Sequence, residues 1–247
     1  VKTSMTTALA GVFLLLGGNA EAAKSFPTNC SSVGGKILNG VCYIGDGTQT
    51  SSILETVNDE WTLTEGNMTI MGGRKIGLAT TFALDHIASD GGTGSILNTG
   101  SGTLTISGGN YAGSYALSSC ADGTGSVSTI SNLGSGDIIF KSGAGTSMYA
   151  HANGGTGIIS NLGSGNVIIK NDSPSGIEGY TAGIQINCLN GGTAILSNQG
   201  TGDLIISGGS AKSAYGIATN ASRGTGSILN TGSGTTTITG GSGTSSY

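Results

Sequence analysis

From Met68 onward the apolar residues arrive in short alternating bursts, each closed by a glycine turn before it can lengthen. Met68-Thr69-Ile70, Leu104-Thr105-Ile106, Ile138-Ile139-Phe140, Val167-Ile168-Ile169, Leu204-Ile205-Ile206 and Thr236-Thr237-Ile238 are the clearest. A period of two places alternate side chains on opposite faces of an extended chain, so each burst predicts a strand. Helices are disfavoured because glycines interrupt every segment before a turn can propagate.

The bursts belong to a larger period. Thr93-Gly94-Ser95-Ile96-Leu97-Asn98-Thr99-Gly100-Ser101-Gly102 returns in altered form at Thr124, Thr156, Thr193 and Thr225. The intervals are 31, 32, 37 and 32 residues. Each unit holds three strand signals: the Thr-Gly phrase itself, the burst after the Gly-Ser/Thr-Gly turn, and a third run. The third run reads Tyr115-Ala116-Leu117, Tyr149-Ala150-His151, Gly183-Ile184-Gln185-Ile186 and Tyr215-Gly216-Ile217. Three short strands in a unit of this length describe one coil of a parallel β-helix, an all-β solenoid whose units stack and share one continuous core. Six or so coils at about 4.8 Å each predict a rod roughly 30 Å long.

Strand alternation assigns the columns. Met68, Leu104, Ile138, Val167, Leu204 and Thr236 should point inward, as should Ile70, Ile106, Phe140, Ile169, Ile206 and Ile238. Between them Ile139, Ile168 and Ile205, flanked by Thr69, Thr105 and Thr237, form an outward apolar stripe. Two readings of this stripe stand: aliphatic ladder pairs that stabilise the sheet, or a contact surface for a partner. Asn98, Asn132, Asn161, Asn198 and Asn230 form a second ladder at a turn, where stacked amides bond each other and the backbone.

Composition narrows the function classes. The chain has 247 residues, 48 of them glycine, with 9% charged residues and a net charge of −4. No Gly-x-y period supports collagen, and the recurring Ile, Leu and Val argue against disorder. Without a basic run, phosphate neutralisation and nucleic-acid binding are not expected. Residues 1–22 read as a signal peptide: Lys2 in the n-region, Ala8 to Leu16 as the apolar core, and Ala20-Glu21-Ala22 before cleavage. Residues 23–60 read as an N-terminal cap segment and 61–247 as the coils. Cys30 and Cys42, twelve residues apart in an exported chain, are expected to form a disulfide. Cys120 and Cys188 are expected to be unpaired, inward-facing and in one turn column two coils apart, a spacing near 10 Å that exceeds disulfide reach.

Catalytic chemistry has one candidate, Asp137 and Asp203, which share an outward column with Asn166 between them. Their expected separation, about 10 Å, is slightly long for an inverting carboxylate pair. Calcium nonapeptide spacing fails, His86 and His151 lack partners at zinc-ligand spacing, and no Gly-Lys-Ser/Thr phosphate loop occurs. No metal and no cofactor is expected. An outward threonine array of the ice-binding kind is broken by Asp137/Ile139, Asn166/Ile168 and Asp203/Ile205. The longest interval contains Asp172, Pro174, Glu178 and Tyr180, a candidate binding loop, because solenoid insertions map to surface loops that make contacts.

An exported, Gly/Ser/Thr/Asn-rich chain with irregular coils resembles the passenger region of bacterial autotransporters and related β-helix adhesins over Trp61 to Tyr247. The resemblance implies a non-catalytic stalk or adhesin at the cell surface, outer membrane or extracellular space. Its partner would be a host or neighbouring-cell surface, protein or glycan. Membrane attachment would come only through a C-terminal barrel, and no barrel is present in this sequence. The chain stops in mid-coil, so it is expected to be the N-terminal part of a longer protein. Val1 fits a non-standard start codon or a clipped end. The alternative is a β-helix polysaccharide-degrading enzyme, a lyase or glycoside hydrolase.

Overall fold

A computed structural model describes residues 24–26, 30–31, 34–45, 54–72, 81–109, 114–143, 145–172, 180–242 and 245–246. The signal segment lies outside the described residues. All regular structure among them is strand, wound as a parallel β-solenoid of about five turns. Sheet A stacks β1 (Lys24–Phe26), β5 (Glu60–Leu63), β8 (Thr93–Asn98), β11 (Val127–Asn132), β14 (Thr156–Asn161), β17 (Thr193–Asn198) and β20 (Thr225–Asn230). Sheet B stacks β2 (Lys36–Leu38), β3 (Val41–Ile44), β6 (Asn67–Met71), β9 (Leu104–Ser107), β12 (Ile138–Ser142), β15 (Val167–Asn171), β18 (Leu204–Ser207) and β21 (Thr236–Thr239). Sheet C stacks β4 (Leu54–Val57), β7 (Thr81–Ser89), β10 (Ser114–Asp122), β13 (Met148–Asn153), β16 (Tyr180–Leu189), β19 (Ser213–Ser222) and β22 (Ser245–Ser246). The chain runs A to B to C and begins again, so each strand pairs in parallel with its counterpart one coil away. The exception is β2, which pairs antiparallel with β3 and closes that edge of sheet B. Beside it Cys30 and Cys42 form a disulfide, with 5.9 Å between their Cα atoms.

The recurrent Gly-x-Gly is a packing requirement. A Cβ on Gly134 would overlap the carbonyl oxygen of Gly100, and one on Gly136 that of Gly102. The same collision recurs for Gly163 and Gly165 on Gly134 and Gly136, for Gly200 and Gly202 on Gly163 and Gly165, and for Gly232 and Gly234 on Gly200 and Gly202. At this corner successive coils touch backbone to backbone, and amides bond carbonyls one coil away, as Gly163 N does to Asn132 O at 2.9 Å. The opposite corner, after sheet C, needs a left-handed residue. Asp90, Gly123, Gly154, Asn190 and Arg223 all have φ between 50° and 90°. Gly, Asn and Asp tolerate that region; Arg does not share their exemption.

The interior is built from ladders of like residues. In sheet B, Cys42, Met68, Leu104, Ile138, Val167 and Leu204 form one buried column, and Ile44, Ile70, Ile106, Phe140, Ile169 and Ile206 the next. Thr236 and Ile238 extend both columns, but Ile238 lies in the last coil and is 47% exposed. Sheet A adds Trp61, Ile96, Ile130, Ile159 and Leu196. The asparagine ladder stands at the ends of sheet A strands rather than in a turn. Its amides bond the backbone: Asn98 Nδ2 donates to Asp137 O at 3.3 Å, and Asn161 Nδ2 to Asp203 O at 3.4 Å. Asn98, Asn132, Asn161 and Asn198 therefore tie sheet A of one coil to the start of sheet B in the next, while Asn230 bonds Gly234 O within its own coil.

Two sequence expectations need correction in sheet C. The tyrosine phase placed Tyr115 and Tyr149 at equivalent positions, whereas Tyr149 pairs with Ser118 and Met148 with Leu117. Burial decides this register: Leu84, Leu117, Met148 and Ile184 must fill one inward column. The same slip separates the cysteines. Cys120 pairs with His151 in an outward column, while Cys188 pairs with Ala152 in the inward one. Both are unpaired thiols within strands, but only Cys188 is buried.

Candidate functional site

The outer face of sheet B carries most of the residues singled out from sequence. Asp137 and Asp203 lie in one column with Asn166, and one oxygen of each carboxylate is engaged by the scaffold. Asp137 Oδ1 accepts from Asn166 N at 2.7 Å, Asn166 Oδ1 from Asp203 N at 2.9 Å, and Asp203 Oδ1 from Thr235 N at 2.8 Å. Asn67 Oδ1 does the same for Thr103 N at 2.8 Å. Asn and Asp alternate in this column because either offers the acceptor that an exposed strand-start amide needs. Ile139, Ile168 and Ile205 pair directly with one another, Thr105 and Thr237 flank them, and all three are half-buried.

At the far end of these strands Lys141 pairs with Lys170, and Lys170 Nζ reaches Asp172 Oδ1 at 2.7 Å across exposed surface. A shallow cleft of about 190 Å³ lies there, lined by Ser107, Gly108, Lys141, Ser142, Gly143 and Asp172. Asp172 is thus placed beside the cleft. Pro174 and Glu178 lie outside the described residues, and Tyr180 opens β16. The cleft is open to solvent rather than an enclosed pocket that buries a ligand.

The outer face of sheet C holds the constellation that sequence reading missed. Phe82 and Tyr115 occupy one column with ring centroids 5.3 Å apart. Tyr149, three positions on, brings its ring 6.3 Å from Tyr115 and 6.0 Å from His151. Asn187 Nδ2 donates to Tyr149 Oη at 2.8 Å. Cys120 Sγ lies 3.7 Å from His151 Nδ1, yet burial, with Asp122 and Asp85 adding, pushes the thiol up to about 11. The sulfur therefore keeps its proton at neutral pH, and this Cys–His pair does not supply a thiolate nucleophile. Along the edge Asn190 Nδ2 donates to Asn153 Oδ1 and Asn153 Nδ2 to Asp122 Oδ1, both at 2.7 Å. The available signal was the burial pattern of Met148 and Ile184, which fixes the register that gathers these rings.

His86 faces the opposite way, wholly buried in the solenoid beside Gly94. Burial pulls its imidazole down to about 4, against the opposing effects of a hydrogen bond with the Gly94 backbone and the Asp59 carboxylate. Among the described residues no three His, Cys, Asp or Glu side chains gather to hold a metal. Set beside protein-family models, curated proteins and solved structures, the chain matches none of them.

Proposed function

We propose that this chain is a non-catalytic, surface-exposed or secreted β-helical stalk or adhesin of the autotransporter type. Its flat outer faces would meet a host or neighbouring-cell surface. One observation carries the reading: the candidate catalytic carboxylates, Asp137 and Asp203, each hold a backbone amide of the next coil through Oδ1. A group fixed in the ladder that holds coils together serves the rod, and the same task falls to Asn67 and Asn166, which carry no acid at all. A rigid solenoid offers long faces rather than one enclosed pocket, which suits adhesion.

The test is saturable binding of beads coated with residues 24–247 to host-cell monolayers and to neighbouring bacterial cells, with bare beads as reference. Dose-dependent attachment supports the proposal, and attachment no greater than that of bare beads overturns it. The competing reading, a polysaccharide lyase or hydrolase, predicts product release from plant or bacterial polysaccharides that disappears in Asp137→Asn. Sustained release by the parent chain that the variant lacks would replace the adhesin reading with an enzyme.

A further inference from the structure

We infer that the outer face of sheet C is a carbohydrate-binding surface for a neutral glycan, a reading that rests on the adhesin proposal and names the ligand class of its contact face. Phe82, Tyr115 and Tyr149 form a half-buried row of rings with centroids 5.3 and 6.3 Å apart, drawn from three successive coils. Phe82 and Tyr115 follow the solenoid axis, and Tyr149, one coil on and three positions along its strand, brings its ring to 6.3 Å from Tyr115 at an interplanar angle of 60°. Ring faces are the partners for the apolar C–H faces of pyranoses, and a partly exposed Tyr adds a polar handle.

Those handles are present. Tyr149 Oη already accepts from Asn187 Nδ2, so its own proton is left to donate. Gln185, the cross-strand neighbour of Tyr149, is half-buried and faces out beside it. Amides and hydroxyls interleaved with aromatic rings match a ligand that is itself polyhydroxylated.

Charge selects among glycans. The strands of sheet C contain no Lys or Arg, while Asp85 and Asp122 lie on the outer face. A uronate or sulfated chain would meet carboxylates on strands that themselves supply no cation, so the face favours uncharged hexose and N-acetylhexosamine chains. The paired lysines Lys141 and Lys170 belong to sheet B.

Titration calorimetry of residues 24–247 against neutral β-linked hexose and N-acetylhexosamine oligomers tests this, with oligogalacturonate, a heparin oligomer and oligolysine as charged comparators. Binding of a neutral oligomer is expected, weakened at least tenfold in Tyr149→Ala and in Tyr115→Ala. Tyr149→Phe keeps the ring and should stay within threefold. Ser164→Ala, at an exposed corner between sheets A and B, should leave affinity unchanged, and each variant's thermal melt identifies loss of fold. The inference is overturned if only charged comparators bind, if no oligomer binds, or if folded Tyr→Ala variants bind as the parent does. Cell attachment that survives those variants would sink this inference while leaving the adhesin reading intact.

Discussion

At the residue scale, individual side chains are set by demands that differ from coil to coil. His86 is a base buried in the interior, and its depressed pKa makes stability depend on pH. Between 6.5 and about 4 the unfolded chain takes up a proton that the folded chain refuses. The contribution is therefore present above 6.5 and lost as pH falls through this window, by about 3 kcal/mol once both forms are protonated. Urea unfolding at pH 7 and 4.5 should show this slope in the parent and a flatter one in His86→Gln. Arg223 sits at φ 61° in a column otherwise filled by Asp, Asn and Gly. Relieving that conformation in Arg223→Gly should stabilise the protein by about 0.5 kcal/mol, after the glycine's greater unfolded-state entropy is counted. A raised urea midpoint at unchanged slope would register it. Asp137→Asn should leave stability within about 0.5 kcal/mol, since Asn fills the same role one coil away, whereas Asp137→Ala should cost about 1 kcal/mol.

At the scale of the element, the strand matters less than the corner that aligns it. The Gly-x-Gly corner brings backbone onto backbone, so a single methyl there displaces a whole coil boundary. Gly163→Ala should cost about 3 kcal/mol, the upper part of the overpacking range, because the atom in its way is the Gly134 carbonyl and not a flexible side chain. Thermal denaturation with the surface variant Ser164→Ala as reference measures it; equal melting points would mean that coils do not stack this closely. Sheet B was legible in the sequence because its columns alternate cleanly, Leu104/Ile106 over Ile138/Phe140 over Val167/Ile169. Sheet C was not. Its inward positions include Ser119, Ala121, Ala150 and Ala152, too small and too polar to mark a phase, and the conspicuous tyrosines are out of step with one another.

For the whole molecule, contacts run almost entirely between neighbouring coils, so a substitution is felt according to how many coils cover it. Phe140, fully buried with Ile106 and Ile169 on either side, should cost 3–5 kcal/mol as Phe140→Ala. Ile238, its counterpart in the last coil, is 47% exposed and should cost under about 1 kcal/mol as Ile238→Ala. Chemical denaturation of the two variants side by side separates this from a uniformly shared core, which would give similar losses. The β2–β3 hairpin and the Cys30–Cys42 disulfide flank the first coil, and among the described residues Ile228 on β20 and Ile238 on β21 are partly exposed.

The sequence alone determined the solenoid, its period and the inward columns of sheet B, because a repeated alternation of large apolar residues admits one register and one face. It also marked the asparagine and glycine ladders, since identical residues at identical places announce a shared backbone environment. Only the tertiary structure decided what those ladders do. Asn98 bonds a carbonyl 39 residues away, and Gly134 yields to a carbonyl contributed by the previous coil. Tertiary packing also set the phase of sheet C, where buried Met148 outweighs the adjacent tyrosine, turns Cys120 outward and draws Phe82, Tyr115 and Tyr149 into one row. Local pattern is strong where side chains on the two faces differ. Where they are alike, register is settled by the volumes that neighbouring coils leave to be filled.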